Sequence, residues 1–199
     1  AAQKRDYKTL VDITGGDDDF SDIERYLSSG LVRGAILLGY ATGNKKLERL
    51  SQKGIPLVLI NQEEETDLPN IMTVNMNDEV WAFEAIERLV KLQHKRILYI
   101  GCSRNRLPAM RRAHGVHRAC DIYKDQILSY QERNGDFNED LAYDITKEIF
   151  SAGGETPTGI FAANDLMAIV AMRAANDLGR KVPEDIKIVG CDYNSNYED

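Results

Sequence analysis

The stretch TGIFAANDLMAIVAMRAANDLGRKVPEDIKIVGCDY, residues 158–193, carries a strand, a helix and a second strand in immediate succession. Its apolar run 159–163 stops abruptly at Asn164-Asp165, the pattern of a buried parallel strand ending at a sheet rim. A helix is expected to follow at once. Asp165 is the expected N-cap, 166–178 is almost unbroken helix former, Gly179 stands where a left-handed C-cap belongs, and Pro183 forbids continuation. Residues 186–190 then read as a second buried strand, which ends just before Asp192. A strand, helix and strand joined by a right-handed crossover place both strand ends on one edge of one sheet. Ligands of open α/β sheets sit at that carboxyl edge, so Asn164 and Asp192 are candidate ligand groups by position alone.

Upstream, the chain keeps alternating. Phe20, Ile23 and Leu27 lie at helical spacing behind the acidic run Asp17-Asp18-Asp19, and residues 35–38 read as a short buried strand. Leu47 and Leu50 mark a helix ending at Gly54, and residues 56–60 and 71–75 read as strands. Beyond them come helix 78–92, strand 96–101, helix 107–123, a weak strand 126–130 and helix 138–150. Strands alternating with helices of this length predict doubly wound parallel sheets. At the start, AAQKRDY reads as the end of a helix and 8–13 as the strand after it. The strand expected before that helix is absent, so the chain reads as a fragment lacking its first strand.

Composition narrows the function classes. With 199 residues, 43% of them hydrophobic, the chain can bury a sizeable core. A net charge of −7 argues against this chain replacing counterions along a nucleic-acid backbone. Cys102, Cys120 and Cys191 are odd in number with no CxxC pairing, which suits a reducing cytoplasm. No apolar run reaches the roughly 18 residues of a membrane helix. The acidic loop Glu63-Glu64-Glu65 reads as a solvated surface.

The runs AANDLMA (162–168) and LGRKVPEDIKIVGCD (178–192), with VRGAILLG (32–39) and LERLSQKGIPLVLIN (47–61), resemble the effector-binding core of LacI/GalR-type bacterial transcription regulators. They are similar, less closely, to periplasmic sugar-binding proteins. The resemblance implies an α/β fold of two parallel-sheet lobes around a central cleft, with a crossing near Met76. The lobes would be 1–76, lacking its first strand, and 77–199, with the family's return crossing and final strands lying beyond residue 199. It implies a small-molecule effector, a carbohydrate or its derivative with a purine or nucleoside as the alternative, held between the lobes of a cytoplasmic homodimer. Operator DNA would be reached only through an N-terminal helix-turn-helix outside this chain, with no membrane association and no cofactor. The alternative is a periplasmic sugar-binding protein serving a transporter.

Several residues carry the expected effector chemistry. Arg112, in Arg112-Ala113-His114-Gly115, matches the family's Arg-x-x-Gly-aromatic motif, whose arginine points into the cleft; its planar fork can hold two ligand oxygens. Val116 stands where the family has an aromatic, which departs from the usual packing pattern. Asn164 and Asp192 can serve sugar hydroxyls, Asn164 as donor and acceptor and Asp192 as acceptor. Ser103, Trp81 and Tyr193 complete the set, the aromatics as flanks for a ligand. Arg104, Arg106, Arg111 and Arg118 around Arg112 raise the alternative of an anionic effector, against a solvated helix face. His114, His117 and Cys120 recur every three residues but lack a fourth ligand at metal-site spacing, so no metal is expected. Cys102 and Cys191 are both expected at carboxyl ends of strands, as neighbours at the rim. Enzyme signatures are missing: the sequence has no GxGxxG after a strand, no GxxxxGK[ST], no GxSxG and no HExxH.

Overall fold

A computed structural model of the chain describes residues 8–11, 21–38, 44–61, 67–103 and 107–192. The chain divides into two compact units, 1–76 and 77–199. The expected helix at 1–7 and the acidic runs 17–19 and 63–65 lie outside the described residues.

Unit 1 contains α1 (Ser21–Ser28), β1 (Ala35–Leu38), α2 (Asn44–Gln52), β2 (Leu57–Ile60) and β3 (Ile71–Val74). Its three described strands are parallel and lie in the order β1-β2-β3. Leu27 of α1 and Leu47 and Leu50 of α2 close over Leu37, Leu57 and Leu59, which point to one face. The alternate residues form two rows on the other face, Ile36-Val58-Met72 and Leu38-Ile60-Val74. Of these, Ile36, Leu38, Met72 and Val74 are exposed. Apolar residues on both faces are what a parallel sheet requires, and the described helices pack on one face. Residues 8–11, expected to begin a strand, carry none and are exposed. No described strand lies alongside to receive their backbone hydrogen bonds. Positions 12–13 of that expected strand are outside the described residues.

Unit 2 runs α3 (Asp78–Lys91), β4 (Arg96–Gly101), α4 (Leu107–Ile122), β5 (Ser129–Asn134), α5 (Glu139–Ser151), β6 (Gly159–Ala162), α6 (Asp165–Asp177) and β7 (Lys187–Val189). All four described strands are parallel, in the order β5-β4-β6-β7. The chain leaves β4 for one side, then crosses back over it to β6. Right-handed crossovers in opposite directions put α4 on one face of the sheet and α5 and α6 on the other. Accordingly α3 packs on α4, and α5 on α6. Tyr99 and Phe161, both fully buried on adjacent strands, stack with ring centroids 5.4 Å apart. Gly115 sets the approach of α3 to α4: a Cβ there would lie 2.1 Å from the Glu79 carbonyl oxygen.

Three details differ from the sequence reading. The strand expected at 126–130 is Ser129–Asn134, because residues 126 and 127 turn back onto the Tyr123 carbonyl at the end of α4. Its polar sequence fits an edge strand. The N-cap of α6 is Asn164, not Asp165: Asn164 is extended, and its Oδ1 accepts from the Met167 amide at 2.9 Å. Finally, β7 is half-buried rather than buried, being the other edge of the sheet.

Candidate functional site

The connections after β4 and β6 run in opposite directions, and the carboxyl ends of two such strands are the place where open α/β sheets take ligands. Arg112 reaches it from α4. Six residues into that helix, its side chain is only 8% exposed, yet it has polar partners on several sides. Nε donates to Oδ1 of Asp78 at 2.8 Å, and Nη1 donates to the carbonyl oxygen of Ala163, the residue after β6. Nη2 lies 3.6 Å from Oδ1 of Asp192, whose side chain is half-exposed. Burial works against the charge of Arg112, but Cys191, Asp78 and Asp192 outweigh it and raise its pKa. The guanidinium is thus a fixed positive group with one edge turned toward the rim.

Asp78 is the first residue of α3 and 1% exposed, a buried carboxylate at a helix N-terminus where the dipole favours negative charge. Asp192 follows β7 with φ at +119°, a backbone region that a residue with a Cβ rarely adopts. Desolvation raises its pKa, with Asp165 and Asp78 adding to the effect and Arg112 opposing it. Asn164 is 9% exposed and caps α6, so capping occupies its Oδ1.

On the β5 side, Ser103 enters a rim network. Its amide donates to Oδ1 of Asp136 at 3.4 Å, and its Oγ accepts from Nδ2 of Asn134 at 3.1 Å. Asp136 and Phe137 both have positive φ, +49° and +56°, and Phe137 is 38% exposed. Two consecutive strained residues presenting an exposed ring at the rim are a feature the sequence reading missed. Because β5 was expected three to four residues too early, the carboxyl end that carries Asn134, Asp136 and Phe137 went unrecognised. Asp78 was missed for another reason: it was read only as a helix start, and its partner is thirty-four residues away.

The structure brings Arg112 and Asp192 together, with Asn164 adjacent to the carbonyl that Arg112 grips; Ser103 belongs to the neighbouring β4–β5 part of the same rim. Trp81 lies one turn along α3 from Asp78 and is 42% exposed. Tyr193 lies outside the described residues, as do Arg104 and Arg106. Arg118 donates to Glu79 at 2.7 Å and lies over the Phe83 ring at 4.6 Å. His114 pairs with Glu79 and His117 with Glu132, at 3.0 and 2.7 Å. Among the described residues no group of three His, Cys, Asp or Glu is placed to hold a metal ion. Cys102 follows β4 and Cys191 follows β7, two strands with β6 between them, and the charge of Arg112 acts on both thiols. Burial holds the Cys102 thiol up at about 11, although the Phe137 amide and Arg112 pull the other way. At neutral pH it is a protonated, unreactive thiol.

A family model described as "Periplasmic binding protein-like domain" matches residues 86–198, more than half of the chain. The chain belongs to this family. Among curated relatives of this periplasmic-binding-protein-like domain, the HTH-type transcriptional regulator CelR of Thermobifida fusca is 27% identical over 171 residues. That match covers 84% of this chain and 49% of the relative. Catabolite control protein A of Priestia megaterium is 26% identical, over 94% of this chain and 56% of its own length. The chain spans about half the length of the curated relatives it matches. A LacI family transcriptional regulator from Enterococcus faecium, solved with bound ribose, superposes with a TM-score of 0.69 at 24% identity, covering 87% of this chain and 63% of that one. The resemblance to LacI/GalR regulators read from the sequence therefore stands, and these relatives are named as regulators rather than enzymes. Among the described residues no helix is long and apolar enough to cross a membrane.

Proposed function

We propose that this domain is the effector-binding module of a LacI/GalR-type bacterial transcription regulator, and that it takes a sugar or sugar derivative at the carboxyl rim of unit 2. The observation that carries the reading is the pairing of Arg112 with Asp192. A buried guanidinium, held from behind by Asp78 and Ala163, presents one edge beside a half-exposed carboxylate. A donor and an acceptor side by side match hydroxyl groups, each of which both donates and accepts. Phe137 offers an apolar ring on the same rim, suited to the C–H face of a sugar or to a base. In the whole regulator, such a ligand acts by binding one arrangement of a cytoplasmic homodimer better than another, and so changes how a helix-turn-helix headpiece engages operator DNA.

The test is a thermal-shift screen of pentoses, hexoses, sugar phosphates and nucleosides on this chain, repeated with Arg112→Lys and Asp192→Asn. A true effector at about 100 times its Kd stabilises by about 2.7 kcal/mol. That stabilisation is expected to fall in both variants. A ligand whose effect survives both substitutions binds elsewhere and removes these residues from the site. This acidic chain alone is expected to give no operator shift at low salt, and observing one would contradict the division of labour proposed.

A further inference from the structure

The chain passes from unit 1 to unit 2 between Met76 and Asn77, and it is tied down on both sides of that step. On the unit 1 side the tie is Asn61, the residue after β2. Val74, the last residue of β3, is in register with Ile60, and the Asn61 amide donates to the Val74 carbonyl oxygen at 3.0 Å. Asn61 then turns into the left-handed region, with φ at +57°, which asparagine tolerates better than most residues. From there its Oδ1 accepts from the Met76 amide at 3.2 Å. One side chain thus holds the chain beyond the end of β3. On the unit 2 side the tie is Asp78, which is 1% exposed and accepts from Nε of Arg112 at 2.8 Å.

Met76 and Asn77, the two residues between the ties, are both exposed. Asn77 precedes α3 with φ at −87° and ψ at 60°, neither helical nor extended, and its side chain makes no capping hydrogen bond. Residues at the ends of elements, outside regular structure themselves, are where a chain absorbs changes in φ and ψ. We propose that Met76-Asn77 is the pivot of the connection between the two units, and that Asn61 is the positioning residue that limits its reach. With the Met76 amide fixed to Asn61 and the Asp78 carboxylate fixed to Arg112, the link can turn but can hardly lengthen. Releasing Met76 moves the first tie back toward β3 and lengthens the link. The device needs no ligand to be present, and neither Asn61 nor the pivot belongs to the rim of unit 2.

Two substitutions separate the side-chain tie from the turn. Asn61→Gly accommodates the positive φ and removes Oδ1, whereas Asn61→Asp keeps an acceptor in the same place. Amide exchange followed by NMR in the 199-residue chain is expected to quicken about fivefold at Met76 in the glycine variant, the effect of losing one hydrogen bond, and to keep the parent rate in the aspartate variant. Exchange within β2 and β3 should not change. Residual dipolar couplings in one alignment medium then report how each unit is aligned. The difference between the two units is expected to grow in Asn61→Gly, to stay at the parent value in Asn61→Asp, and to grow also when one glycine is inserted between Met76 and Asn77. Unchanged exchange at Met76 in the glycine variant overturns the inference, as does quickened exchange with unchanged couplings. Faster exchange throughout β2 and β3 overturns it too, because Asn61 would then be holding the sheet and not the link. Couplings unmoved by the insertion remove the pivot itself.

Discussion

Nε of Arg112 and Oδ1 of Asp78 lie 2.8 Å apart in a place where neither side chain is more than 8% exposed. Removing one partner from such a pair leaves the other charged and buried, which typically costs about 3–5 kcal/mol. Arg112→Ala is therefore expected to lower unfolding stability by that order in urea denaturation. The double variant Asp78→Ala/Arg112→Ala should cost less than the sum of the single changes. Strict additivity would mean that the pair is not coupled.

Asn164 has a structural duty that can be separated from ligand contact. Its Oδ1 caps α6 by accepting from Met167, so Asn164→Ala should destabilise by about 1 kcal/mol. Asn164→Asp keeps an acceptor at the cap and should retain stability, while it loses the amide donor that a ligand would use. If the Asp variant binds a screened ligand unchanged, Asn164 is a cap and nothing more.

Gly115→Ala tests the seam between α3 and α4. The new methyl would lie 2.1 Å from the Glu79 carbonyl oxygen, so one helix must shift. Overpacking of this kind costs about 1–3 kcal/mol. Because Arg112 sits on the preceding turn of α4, ligand affinity should fall along with the chemical-denaturation midpoint.

Asp192 and Glu79 should respond to pH with opposite signs. Burial raises the Asp192 pKa above its ordinary 3.8, so the folded state binds this proton more tightly than the unfolded state does. Its contribution is most favourable below 3.8 and is lost as pH rises through the raised folded value. Asp192→Asn should accordingly melt higher than the parent at neutral pH, with the difference shrinking in acid. Asp192→Gly should also gain, by relieving the positive φ. A neutral-pH loss in the Asn variant would show that Arg112 outweighs desolvation.

For Glu79 the shift is downward, chiefly through its hydrogen bond to His114, with Arg118 contributing. Its contribution is present above the usual value of 4.5 and is lost as pH falls through the lowered one. Glu79→Gln should be less stable than the parent at neutral pH and should converge with it in strong acid. Equal melting curves across the range would mean that solvent screens this exposed seam completely.

Much of the architecture could be read from local signals because the local signals agree with one another. Gly179, with φ at +74°, ends α6 where the glycine rule places it, and the apolar runs at 35–38 and 96–101 became β1 and β4 without change. Elements on the edges of sheets were harder. Ser129–Asn134 is polar because one side of β5 faces water, and nothing in its composition distinguishes it from a loop. The same displacement hid Phe137. Arg112 and Asp192 could be nominated from their motif and from the end of a strand. Their arrangement could not, since Asp78 and the Ala163 carbonyl come from elements that meet only once the sheet has formed. A backbone oxygen carries no mark in a sequence at all.

The parallel run of β5, β4, β6 and β7 brings every described strand of unit 2 to its end along a single border. Tyr99 and Phe161 stack in the interior, whereas Ser103, Phe137, Asn164 and Asp192 stand just past the last paired residues. Exchanges along this border leave the packed interior in place, and what they cost in folding is confined to local duties such as the cap that Asn164 gives α6. On the proposed reading, a few such exchanges would change which small molecule the rim takes while the sheet behind it stays the same.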